Sequence, residues 1–161
     1  MKKIAILYST YTPTIDAIIS KLEYAEVACF DSLPENLSEY DLVVNINFAL
    51  EINLNHISVH YSLLPAFDSD EPLRDAILAG VKVTGLTFYY TSPRKIIAQY
   101  PIFISNASHY DDVERELEYL EQVLYPLILD KILRNEPFEL KNLLSKGCSG
   151  SCGGGCLGCS H

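Results

Sequence analysis

Cysteine, glycine and positive charge are all scarce through most of this 161-residue chain. Cys29 is the only cysteine before Cys148, so no disulfide framework holds the body together. Lys and Arg number 12 against 21 Asp and Glu, and the net charge of −9 argues against a phosphate backbone, and hence nucleic acid, as principal partner. No apolar run approaches the length of a membrane span, and Ile4 to Tyr8, behind the basic Met1-Lys2-Lys3, is too short for a signal-peptide core. The expectation is a cytoplasmic protein with no membrane partner. At 48% hydrophobic and 20% charged, the chain is apolar enough for one globular core.

What the body lacks is gathered at the end. Six of the eight glycines and four of the five cysteines fall after Leu144, where Lys146 is the only Lys, Arg, Asp or Glu. The chain therefore divides into a body, residues 1–143, and a Cys/Gly-rich tail, residues 144–161. Glycine loses much freedom on ordering, and Leu157 is the single large apolar side chain after Leu144, so a flexible tail is expected unless something binds it.

Along the body, Ile4 to Tyr8 reads as a buried parallel strand, followed by a helix with apolar positions Ile15, Ile18, Ile19 and Leu22. Glu26 to Phe30, Asp41 to Ile46 and Ile57 to His60 read as further strands. Pro72 to Ala79 suits a short helix starting near Ser69 or Asp70, with Gly80 as its C-terminal cap. Val81 to Tyr90 and Ile96 to Phe103 are strands. Val113, Leu117, Leu120, Leu124, Leu127, Ile128 and Ile132 keep helical spacing from Tyr110 to Arg134, where Pro126 is expected to kink or split the helix. This alternation predicts an α/β domain with a mainly parallel sheet, and directs attention to the loops after Tyr8, Ile46 and His60.

The string Ser58-Val59-His60-Tyr61-Ser62-Leu63-Leu64-Pro65-Ala66-Phe67 is similar to the signature of folate-dependent formyltransferases, most closely the glycinamide ribonucleotide transformylases. Ala76 to Gly85, Ile96 to Gln99 with Pro101-Ile102, and Glu121-Gln-Val-Leu-Tyr-Pro126 continue the resemblance in order. It implies a three-layer, Rossmann-like formyltransferase fold with a long C-terminal helix. It further implies formyl transfer from 10-formyltetrahydrofolate to an amine, with His60 and Ser58 at the catalytic His and Asn positions. Ser9, Thr10 and Thr12 would meet a phosphate, while Phe48, Ala49, Leu50, Ser62, Leu63, Leu64 and Pro65 would line the ligand site.

Departures from the family pattern are concentrated at the chemistry. Serine at position 58 is shorter than an amide, and the loop carrying the family's Asp has become Ser92-Pro93-Arg94-Lys95. The first loop, Ser9 to Thr14, has no glycine to bring backbone amides against a phosphate. Residues 30 to 57 fall short of the family by about one βα unit. Arg94 is a candidate anion ligand, with two solvated cations on a turn as the plainer reading. His60 is either catalytic or retained for packing. His56 and His109 are expected in surface or loop positions. The set Asp111, Asp112, Glu114, Glu116, Glu118 and Glu121 is expected to be a solvated helix face. Tyr89, Tyr90 and Tyr100 are expected as strand residues with buried rings and wet hydroxyls, with the lining of a ligand pocket as the alternative.

Cys148, Cys152, Cys156 and Cys159 form C-x3-C-x3-C-x2-C, and thiolates on a glycine-rich segment can converge on one soft ion, Zn or an iron–sulfur cluster. Thiol redox exchange and modification of the tail to thiazole-type rings are the alternatives. The combined expectation is a formyltransferase relative that transfers formyl groups poorly, binds a small molecule or protein partner, and carries a metal on its tail. A divergent formyltransferase acting on an amine such as glycinamide ribonucleotide, and a precursor with a modified tail, are the competing readings.

Overall fold

The computed structural model describes residues 1–105 and 108–137. The elements are β1 (Lys3–Tyr8), α1 (Pro13–Lys21), β2 (Glu26–Phe30), a 3-10 turn (Leu37–Glu39), β3 (Leu42–Ile46), β4 (Ile57–His60), α2 (Pro72–Leu78), β5 (Val83–Thr91), β6 (Arg94–Phe103) and α3 (Tyr110–Leu133). They form one sheet in the order β2-β1-β3-β4-β5-β6. The pairs among β2, β1, β3 and β4 are parallel, and the two that join β4, β5 and β6 are antiparallel.

Strand alternation explains why β1 is apolar throughout. Ile4 and Ile6 face the helices, packing with Ile15 and Ile18 of α1, Leu73 of α2, and Val113, Leu117, Leu124 and Ile128 of α3. Ala5 and Leu7 face the other way, against Val43, Leu37, Phe48 and Ile52. That second cluster contains no α-helical residue, so the third layer consists of the 3-10 turn and the irregular stretch 47–56. The shortening expected between residues 30 and 57 falls on this face.

Gly80 ends α2 at φ +72°, with its N–H on the Ile77 carbonyl and that of Val81 on the Ala76 carbonyl, the paired bonds of a Schellman end. The N-cap of α2 is Glu71; the Ser69 hydroxyl instead donates to Asp75 Oδ2 at 2.5 Å. Pro126 lies inside α3 and does not split it. Arg94 and Lys95 belong to β6, not to a turn, because β5 pairs to its end with Thr91 opposite Arg94. Cys148, Cys152, Cys156 and Cys159 lie outside the described residues.

Candidate functional site

The sheet order reverses at β1, which is flanked by β2 on one side and β3 on the other, so the loops leaving β1 and β3 part and open a crevice beyond their C-terminal ends. A cavity of about 550 Å³ occupies it, bounded by Thr12 and Thr14 at the start of α1, Asn47 after β3, Val59 and Tyr61 at the end of β4, and Arg115, Glu118 and Glu121 on α3.

Asn47 builds the near wall. It adopts φ +53°, a conformation asparagine tolerates better than most residues, and turns its amide onto the loop after β1. Its Oδ1 accepts from the Ser9 and Thr10 N–H groups at 2.9 and 3.0 Å, and its Nδ2 donates to the Thr10 carbonyl at 3.0 Å. The Ser9 hydroxyl accepts from Ala49 N–H at 3.1 Å. Ser9 and Thr10, expected to hold an anion, thus have their backbone donors engaged within the chain. Thr12 differs: it caps α1 without a side-chain cap bond, and its buried hydroxyl has no partner.

Glu121 was expected on a solvated face, and the structure corrects this. Its residue is 8% exposed and its Oε2 accepts from the Tyr61 hydroxyl at 2.5 Å. Burial pushes the Glu121 carboxyl upward, the Tyr61 hydrogen bond pulls it down, and the charge of Glu118 pushes it up again. The sequence carried a signal for this position. Glu121 follows Leu117 by four residues and precedes Leu124 by three and Ile128 by seven, so it shares their face.

His60 ends β4. Alternation sends Val59 toward the cavity and Ser58 and His60 to the opposite face. The His60 Nδ1 stands 2.9 Å from Ser62 Oγ, and Nε2 stands 3.2 Å from the Ser69 carbonyl. Burial depresses the His60 pKa, the Ser69 carbonyl and Asp68 raise it, and Arg94 lowers it. Among the described residues no carboxylate is hydrogen-bonded to the imidazole, nor is Ser58. Arg94, a candidate anion ligand, is already paired with Asp68 at 2.6 Å. Asp68 itself went unrecognised in the sequence, where it lies 26 residues from its partner with no local pattern to mark it.

The expected ligand-lining residues divide. Ala49, Leu50 and Pro65 are exposed and Leu63 is half-buried. Phe48 packs in the second core cluster, Ser62 is fully buried with its hydroxyl on the Ala66 carbonyl, and the buried Leu64 gives its N–H to Thr87 Oγ1. His56 lies in the loop before β4, one of the two places expected for it, but is buried there, with its Nδ1 2.8 Å from the Leu54 carbonyl. Among the described residues no cluster of His, Cys, Asp and Glu could hold a metal ion, and no helix is long and apolar enough to cross a membrane.

A family model described as formyl transferase matches residues 36–129. A phosphoribosylglycinamide formyltransferase from Bacillus subtilis is 37% identical over 83 residues, which are 48% of this chain and 42% of that protein. A formyltetrahydrofolate deformylase from Synechocystis sp. is 32% identical over 92 residues, 55% of this chain and 32% of that one. The matched stretches therefore span less than half of these relatives. Among solved structures, phosphoribosylglycinamide formyltransferase from Bacillus halodurans superposes with a TM-score of 0.68 at 24% identity, covering 86% of this chain and 100% of that chain. The enzyme of the same description from Brucella melitensis gives 0.69 at 17% identity, covering 81% and 95%.

Proposed function

The chain belongs to the formyl transferase family, and from that premise we propose that it binds an amine-bearing small molecule with an anionic group in the cavity, and is a poor catalyst of formyl transfer to it. The observation that carries this reading is that Thr12 and Glu121 line one cavity. Thr12 contributes a buried hydroxyl without a partner at the start of α1, where the helix dipole favours an anion even though Pro13 has no N–H and that of Ile15 is bonded to the Thr12 carbonyl. Glu121 contributes a buried carboxylate, the natural counter-charge for an ammonium. The formyl donor, 10-formyltetrahydrofolate, would lie on the other face of β4, where Ala49, Leu50, Leu63 and Pro65 remain accessible. Donor and acceptor would then meet over the end of that strand. Poor transfer follows from His60, whose two ring nitrogens both face groups of its own chain.

One observation favours the second reading, a working divergent formyltransferase. The partner of His60 Nε2 is a carbonyl oxygen, the same kind of acceptor that a formyl group would present. Thermal shift with glycinamide ribonucleotide, followed by transfer from 10-formyltetrahydrofolate, tests both. Stabilisation lost in Glu121→Ala, with little turnover, supports the first reading. Rapid turnover abolished by His60→Ala supports the second. No stabilisation by the nucleotide overturns both.

The tail enters the proposal as a soft-metal site formed by Cys148, Cys152, Cys156 and Cys159, with Zn or an iron–sulfur cluster as its occupant. Metal analysis of anaerobically purified protein, full-length and ending at Leu144, checks it. A stoichiometric metal lost on truncation supports the site. A metal-free tail overturns it, and a mass change confined to residues 148–161 would identify a modified precursor instead.

A further inference from the structure

Arg94 opens β6, and its guanidinium forks onto Asp68, Nη1 to Oδ2 at 2.6 Å and Nη2 to Oδ1 at 3.0 Å. Its Cζ lies 5.1 Å from the ring centroid of Tyr89, the register partner of Ser58 on β4. The loop carrying Asp68 is thereby tied to the antiparallel side of the sheet. The next residue, Ser69, is pinned a second time, its hydroxyl donating to Asp75 Oδ2 at 2.5 Å. Between these two anchors lies the Ser69 carbonyl that faces His60 Nε2 at 3.2 Å.

A carbonyl oxygen only accepts, so this contact requires the proton on Nε2. The other ring nitrogen has no such constraint. Ser62 Oγ lies 2.9 Å from Nδ1 and 2.7 Å from the Ala66 carbonyl, and its single proton can serve either. With neutral imidazole the hydroxyl turns to Nδ1. With imidazolium Nδ1 donates, and the hydroxyl returns to Ala66. The Ser69 carbonyl is therefore the group that selects the tautomer, and its place depends on the residues that hold the loop.

We propose that Asp68 and Arg94 are positioning residues for His60, their ion pair holding the Ala66–Ser69 loop so that the Ser69 carbonyl fixes the Nε2–H tautomer. The inference rests on the second of the two readings above, in which His60 is the reactive group, and it replaces the missing acid of the Ser92–Lys95 segment with one from a different loop. The cation on the hairpin brings its own carboxylate. The charged groups facing the ring are Asp68, which favours the imidazolium, and Arg94, which opposes it, with Asp75 reaching it only through Ser69.

The test is a pH titration of His60 side-chain nitrogen shifts in the full chain, assigned by difference with His60→Gln, in wild type, Asp68→Asn and Arg94→Gln. Wild type should show the Nε2–H form alone when neutral, and both variants should fall back to the mixed population of a solvated imidazole, in which Nε2–H predominates only in part. Their midpoints should separate, that of Asp68→Asn falling below that of Arg94→Gln, because one variant removes the charge that favours the imidazolium and the other the charge that opposes it. A full Nε2–H preference kept in both variants, or midpoints that stay together, overturns the proposal. The double variant Asp68→Arg/Arg94→Asp re-forms the pair with reversed polarity and should restore the tautomer, which keeps the test open if a single variant fails to fold. None of these readouts needs substrate, so absence of formyl transfer would count against the activity alone.

Discussion

Tyr61, one residue past β4, donates its hydroxyl to Glu121 Oε2 on α3 at 2.5 Å, closing one wall of the cavity. Burial raises the Glu121 carboxyl above the ordinary range. A carboxyl with a raised folded-state pKa holds its proton longer when folded than unfolded. Its contribution to stability therefore declines as pH rises from the ordinary carboxylate range through the raised value, then levels off. Glu121→Gln keeps an acceptor for Tyr61 and removes the ionisation, so it should flatten that decline. Tyr61→Phe removes the donor, should extend the decline to higher pH, and should cost about 1–3 kcal/mol above it. Urea unfolding across a pH series measures both, and curves parallel to wild type would contradict the assignment.

Tyr125 performs a structural task that the ladder leaves undone. β3 and β4 share one register pair, Val44 with Ile57, and the fully buried Tyr125 hydroxyl lies 3.0 Å from the Asn45 carbonyl and 3.1 Å from the Ile57 carbonyl. Tyr125→Phe should cost about 1–2 kcal/mol, read as a lower urea midpoint at unchanged slope, with faster amide exchange concentrated in β4. Uniform exchange changes across the sheet would argue against this bridging role.

The two glycines of the body are expected to behave differently. A Cβ on Gly85 would stand 2.0 Å from the Tyr100 carbonyl oxygen across the β5–β6 pair, and backbone cannot move aside cheaply. A Cβ on Gly80 meets nothing within 4 Å, but φ +72° is strained for any L side chain. Gly85→Ala should cost about 3 kcal/mol or abolish folding, and Gly80→Ala about 1 kcal/mol. Equal losses in urea unfolding would refute the contact.

Strand and helix order was readable because the buried parallel strands are continuous apolar runs and α3 keeps its helical spacing over many turns. The position of His60 at a strand end was readable for the same reason. The surroundings of His60 were not. Asp68 meets Arg94 across 26 residues, through a loop and a hairpin whose approach has no period in sequence. Phe48 follows Asn47, whose positive φ turns the chain, and nothing local to that turn tells whether the ring enters the core or lines a ligand site. Glu121 was legible in spacing, but the surrounding acidic residues masked it.

Asn47 is the residue on which ligand binding is expected to depend without itself being charged. Its amide gives the loop after β1 two acceptor contacts and one donor contact, at 2.9 to 3.0 Å, beside the isolated antiparallel bridge between Tyr8 and Asn47, and so holds Thr12 at the cavity wall. Asn47→Ala should release Ser9 and Thr10 and weaken binding of an anionic amine about tenfold, since two to three modest hydrogen bonds organise the loop before the ligand arrives. Asn47→Asp keeps the acceptor for both N–H groups, loses the donor to the Thr10 carbonyl and places a negative charge beside the start of α1. It should therefore weaken binding of ribose 5-phosphate more than that of a phosphate-free ribosyl amine. Calorimetry with the two probes separates these effects. Wild-type affinity in Asn47→Ala would mean that the loop is held by other contacts, and equal losses for both probes in Asn47→Asp would place the anion away from α1.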